Sequence, residues 1–116
     1  MTTTEILDVV RASSSWEQLK KYGVMLSDNE WRFPAPSSEP VIICVQDVVD
    51  GYNQYQGDEN ALKSWASFLL AASDLISFQR IEDGPNGDQV IGALWDVAFG
   101  VPGASAKLQT ALGRRD

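Results

Sequence analysis

The sequence predicts an all-α protein, a compact bundle of about five helices in one domain over residues 1–116, with room for a short extended segment near residues 24–33. Three observations carry that expectation. Apolar residues recur every three or four positions through most of the chain, the spacing that gathers them on one side of a helix. Clusters of glycine, proline and serine, which break helices, separate the stretches with this pattern. The length is sufficient for one hydrophobic core, and a composition of 44% hydrophobic and 22% charged residues is that of a folding chain.

Thr2 and Glu5 stand at capping-box spacing and open a helix through Ala12, with Ile6, Val9 and Val10 on its apolar side. The serines at 13–15 interrupt it. Ser15 and Gln18 repeat the box for a second helix over Trp16–Tyr22, which Gly23 closes. From Val24 to Phe33 polarity has no clean period; an extended piece fits at Trp31-Arg32-Phe33, and Trp16 and Trp31 are expected to pack inward. Pro34-Ala35-Pro36-Ser37-Ser38 reads as an ordered loop.

Ser38 then caps a third helix with Pro40 in its first turn. Val41, Val45, Val48 and Tyr52 recur at helical spacing, and Ile42 and Val49 widen the stripe. The β-branched run Val41-Ile42-Ile43 suits a buried strand leading into a shorter helix equally well, but the length of the pattern favours helix. Gly57 stops this element and Asp58 caps the next, where Leu62, Trp65, Ala66, Leu69 and Leu70 cover enough of the circumference to place it deep in the bundle. Leu75-Ile76-Ser77-Phe78 is a helical turn or a strand-like connection before the turn-rich Glu82–Asp88. Val90, Ile91, Leu94, Trp95 and Ala98 mark a further helix that begins near Asp88 and ends at Gly100-Val101-Pro102-Gly103. Ser105–Leu112 forms the last, with Leu108 and Leu112 inward.

Nine basic against sixteen acidic residues give a net charge of -7, the wrong sign for holding phosphate backbones. The imbalance is concentrated: residues 39–100 hold ten acids against Lys63 and Arg80. An acidic surface serves solubility in many proteins, and it also draws in a basic protein partner by long-range attraction. With one cysteine and no histidine, the chain can form no internal disulfide and lacks the commonest metal ligand and general base. The amino-terminal residues lack the features of a signal peptide, and no apolar run approaches the roughly 18 residues that span a bilayer. Cytoplasmic localisation with no membrane contact is the expectation.

Asp83-Gly84-Pro85-Asn86-Gly87-Asp88 is a poor calcium loop, since Pro85 falls where an oxygen ligand belongs and no glutamate closes it. Nor does Gly84–Gly87 end in the lysine and serine of a phosphate-binding loop. Cys44 has no histidine to activate it and reads as a small hydrophobe. Asp47 and Asp50, one turn apart, can in principle act as a carboxylate pair, but a solvated helix face is the simpler reading. No catalytic residue, cofactor or metal site is assigned. More informative is the mixture of Tyr52 and Tyr55 with Asp50, Asp58 and Glu59, which joins contact area to charge in the manner of a protein interface; alternatively, Tyr52 belongs to the core and Tyr55 covers it. Glu82, Asp83 and Asp88 form a second acidic cluster on a loop. The expected partner-binding residues are therefore Asp50, Tyr55, Asp58, Glu59, Glu82, Asp83 and Asp88.

The stretch from Trp65 to Ala72, followed by Leu75-Ile76, Glu82-Asp83, Gly87-Asp88 and Ala93-Leu94-Trp95-Asp96-Val97-Ala98-Phe99-Gly100, resembles small bacterial immunity proteins that accompany secreted polymorphic toxins, including contact-dependent growth inhibition systems. The resemblance covers about residues 58–100 and includes no catalytic motif. It implies an acidic, non-enzymatic protein that binds a cognate toxin domain and blocks its active or substrate-binding site. A basic nuclease is the toxin class that such a surface complements. The competing expectation is an adaptor or assembly subunit whose tryptophan-rich faces, Trp31 among them, make the contacts.

Overall fold

A computed structural model describes residues 3–11, 25–27, 30–32, 40–55, 57–72, 75–84 and 86–113. The chain is mainly helical, as expected. Its helices are α1 (Thr3–Val10), α2 (Val45–Tyr55), α3 (Glu59–Ala71), α4 (Gln79–Glu82), α5 (Gly87–Ala98) and α6 (Ala104–Leu112). Two small sheets accompany them: an antiparallel pair of β1 (Met25–Ser27) and β2 (Glu30–Arg32), and a parallel pair of β3 (Val41–Ile42) and β4 (Ile76–Ser77). The expected helix over residues 16–22 and Trp16 lie outside the described residues.

Helix α3 organises the core. Asp58 caps it, its Oδ1 accepting the Ala61 N–H at 3.1 Å, and Leu62, Trp65, Ala66, Phe68 and Leu69 are buried. The most extensive helix packing is of α3 on α5 and of α5 on α6. Ile6, Val9 and Val10 of α1 and Val48 and Tyr52 of α2 close the core from the other side. Trp65 ties these layers together, donating its indole N–H to the Val10 carbonyl at 2.9 Å. The hairpin of β1 and β2 leans on α3 through Trp31, whose indole donates to Ser67 Oγ at 2.9 Å and whose ring meets Phe68 edge-on. The extended piece expected at Trp31–Phe33 is thus present at Glu30–Arg32, while Phe33 lies outside the described residues.

The third helix begins later than its periodicity suggests. Residues 41 and 42 form a strand: the Val41 N–H donates to the Leu75 carbonyl and the Ile43 N–H to the Ser77 carbonyl. Exposed Ile42 followed by fully buried Ile43 is the alternation of a strand. The Leu75–Phe78 ambiguity resolves the same way, with Ile76 and Ser77 as the partner strand. What stops the helix from extending backwards is Asp47. Its carboxylate reaches back to the Cys44 N–H at 2.9 Å, the reciprocal half of a capping box, and also accepts from the Cys44 thiol and from Arg11 Nε at 2.7 Å. A solvated face is therefore the wrong reading for Asp47, which is buried and links α1 to the start of α2.

Burial pushes the Asp47 carboxyl towards the neutral form, but the Cys44 N–H, the Arg11 guanidinium and the Cys44 thiol outweigh it and hold its pKa below the usual carboxylate value. A depressed folded-state pKa contributes stability that is present above the unfolded value, near 3.9, and is lost as pH falls through the lower folded value. Asp47→Ala is expected to cost about 2 kcal/mol near neutral pH, from a lost cap and a lost charge-assisted bond. Urea denaturation over an acid pH series checks this: the variant should lose less stability than the parent as pH falls through the carboxylate range, and parallel curves would remove Asp47 from the account.

Candidate functional site

Each acidic residue expected to contact a partner has a defined place. Asp58 and Glu59 are exposed at the start of α3, where Asp58 already uses one oxygen as the cap. Glu82 and Asp83 are exposed at the end of α4, and Asp88 is exposed in the first turn of α5. None of these five takes part in an ion pair among the described residues. Asp50 differs: it is half-buried on α2 and accepts a hydrogen bond from Gln46 Nε2 at 2.9 Å. Asp47 and Asp50 therefore accept hydrogen bonds from different partners, Arg11 and Cys44 for the first and Gln46 for the second.

The five exposed acids do not form one cluster. Lys63 of α3 lies beside Gly100, just past α5, and a groove of about 550 Å³ brings Glu59 and Lys63 together with Val97 and Gly103. The beginning of α3 therefore sits at the end of α5. Ten residues of helix separate Asp88 from that end, about 15 Å at 1.5 Å per residue. Asp58 and Glu59 thus occupy one end of the α3 and α5 pair, and Glu82, Asp83 and Asp88 the other.

The tyrosines divide between core and cover. Tyr52 is buried and its hydroxyl lies 3.3 Å from Ser105 Oγ, joining α2 to α6. Tyr55 is half-buried with its ring tilted against Trp65, and burial raises its phenol pKa. It extends the core towards Asp58 at the surface.

Among the described residues the most exposed aromatic surface lies elsewhere, at the carboxyl end of α5. Trp95 and Phe99 are 46% and 71% exposed, with rings stacked at 5.6 Å between centroids and an interplanar angle of 19°. Val101, also exposed, follows them. The chain turns there through a Schellman motif: the Gly100 N–H donates to the Val97 carbonyl, the Val101 N–H to the Asp96 carbonyl, and Gly100 takes the left-handed φ of 72° that the motif requires. The helical pattern that set Trp95 in one stripe with Val90 and Leu94 is corrected here. Val90, Ala93, Leu94 and Val97 are the buried stripe, and Trp95 and Phe99 point away from it. Trp31 packs inward as expected, half-buried against Ser67 and Phe68, and is not the exposed contact that the adaptor reading requires.

Gly92 stands one turn before Trp95 on α5, and a Cβ built there would meet nothing within 4 Å. Packing within the chain does not require a glycine at this position. Gly92→Ala is expected to stabilise the fold by about 0.5 to 1 kcal/mol, because alanine loses less conformational entropy in a helix. Thermal unfolding measures it; a lowered midpoint would mean that the site does not tolerate a methyl group after all.

Among the described residues no group of three or more metal-ligating side chains is gathered, and no helix is long and apolar enough to cross a membrane. No family model matches the chain, and neither the curated proteins nor the solved structures contain a match.

Proposed function

We propose that this chain is a non-enzymatic immunity protein of the bacterial cytoplasm that binds the basic domain of a cognate toxin, a nuclease by charge, and covers its active or substrate-binding site. The supporting observation is the set of five exposed carboxylates, Asp58, Glu59, Glu82, Asp83 and Asp88, none ion-paired among the described residues. Exposed carboxylates that are close in sequence repel one another, and a basic protein relieves that repulsion while giving up the surface it would use for nucleic acid. Tyr55 adjoins the first cluster, its carbonyl accepting the Asp58 N–H, and adds contact area, while Asp50 lies further back on α2. The contact is with the toxin; nucleic acid and membrane are not partners.

The test is binding to the carboxyl-terminal domain of a secreted toxin encoded beside this chain's gene. Affinity is expected to fall at least about tenfold as salt rises from roughly 50 to 500 mM. Converting Glu59, Glu82, Asp83 and Asp88 to lysine, with Asp58→Asn to retain the α3 cap, should abolish binding while leaving the helical circular dichroism intact. Reversing each end separately identifies the contacting cluster. Undiminished binding by the fully altered protein would sink the proposal. The second reading, an adaptor, is favoured by the exposed Trp95 and Phe99 and expects affinity indifferent to salt.

A further inference from the structure

Helix α5 carries a second face that the core does not use. Asp88, Gly92, Trp95 and Phe99 follow one another at intervals of four, three and four residues, so they share one side of the helix. At one end of this side is an exposed carboxylate, and towards the other is the stacked aromatic pair. Between them is Gly92, with open space where a side chain would stand. A helix gives up stability to keep glycine in its interior, and at half-buried Gly92 no side chain stands between Asp88 and the Trp95 ring.

The geometry points to a seat for an arginine-bearing segment of a basic protein, with the guanidinium on the Trp95 and Phe99 rings and the adjoining chain lying over Gly92 towards Asp88. This deepens the proposed function and rests on its acidic-surface reading. Charge selects the occupant. The only charged residues of α5 are Asp88 and Asp96, and Asp96 is held by Lys107 Nζ at 2.7 Å, which leaves Asp88 to receive a partner's cation. Lys63 lies beyond the aromatic pair, beside Gly100, so the segment runs from the rings towards the amino-terminal end of α5. A second copy of this chain would bring a further net charge of -7 against the same acids. Arginine fits better than lysine because its planar, weakly hydrated head stacks on an aromatic face, while a second basic residue of the same segment meets Asp88, seven residues back along α5.

Fluorescence anisotropy with labelled oligo-arginine and equally long oligo-lysine peptides tests the seat without a cognate toxin. Oligo-arginine should bind roughly threefold to tenfold more tightly. Trp95→Ala and Phe99→Ala, both at exposed positions, should remove that preference while leaving oligo-lysine binding unchanged, and Gly92→Leu should weaken the arginine peptide by filling the open space at that position. The variant with all five acids altered should lose both peptides. Equal binding of the two peptides, unmoved by the aromatic changes but lost on charge alteration, overturns the seat and leaves the acidic reading standing. An arginine preference that survives charge alteration overturns the acidic reading and retains the stack. Failure of both peptides to bind overturns both, and a dimer in sedimentation that Phe99→Ser dissolves assigns the face to a second copy instead.

Discussion

Trp65→Ala is expected to cost about 3 to 5 kcal/mol, a large share of the roughly 5 to 15 kcal/mol that holds a domain of this size together. Three losses act together. The indole is fully buried between helices, so its removal leaves a cavity where the surroundings relax only in part. Its N–H satisfies the Val10 carbonyl, which is otherwise a buried acceptor at the end of α1. Its ring also supports Tyr55, and through it the end of α2 beside Asp58. Trp65→Phe keeps most of the area and isolates the hydrogen bond, at about 1 to 3 kcal/mol. Urea unfolding followed by far-ultraviolet circular dichroism gives both values, and a loss below about 1 kcal/mol for the alanine variant would mean that α1 is not docked through this residue.

Gly51→Ala should be nearly as damaging, by about 3 kcal/mol, although it adds a single methyl group to a helix. A Cβ at residue 51 would run into the Val10 carbonyl oxygen and stand 2.6 Å from the Trp65 ring. The oxygen belongs to backbone and cannot rotate away, and the ring is locked in the core. The helices α1, α2 and α3 therefore meet at a point where α2 must lack a side chain. The two substitutions should be coupled: in a Trp65→Ala background the added methyl meets the Val10 oxygen alone, and the cost of Gly51→Ala should shrink. Additive costs in that double-mutant cycle would contradict the close approach.

These two residues show what a linear reading can and cannot reach. Trp65 was legible because α3 is apolar over most of its circumference and Gly57 and Asp58 mark its start, both local signals. Gly51 was not, because its reason is a contact with α1 some forty residues earlier in the chain. Residues 41–43 were ambiguous for a related cause. Their β-branched side chains suit strand or helix, and the partner that decides, Ile76 and Ser77, lies beyond a crossover of two helices. A local clue did exist in the spacing of Cys44 and Asp47, half of a capping box that places the helix start after the strand.

The candidate site was legible in kind more than in shape. Counting charge identified the exposed acids, but their division between two ends follows from the opposed directions of α3 and α5, which no composition reveals. The exposed aromatic pair could have been found. Val90, Ala93, Leu94 and Val97 already complete a buried stripe, so Trp95 and Phe99, four residues apart, had to form a second one.

Carboxyl footprinting puts the acidic surface to its most direct trial. Carbodiimide labelling of the free chain and of a complex with the proposed toxin partner, read by mass spectrometry, reports the accessibility of each carboxylate separately. Glu82, Asp83 and Asp88 at one end, or Asp58 and Glu59 at the other, should lose most of their labelling in the complex. Unchanged labelling of all five in a complex that has demonstrably formed would place the interface elsewhere on the molecule.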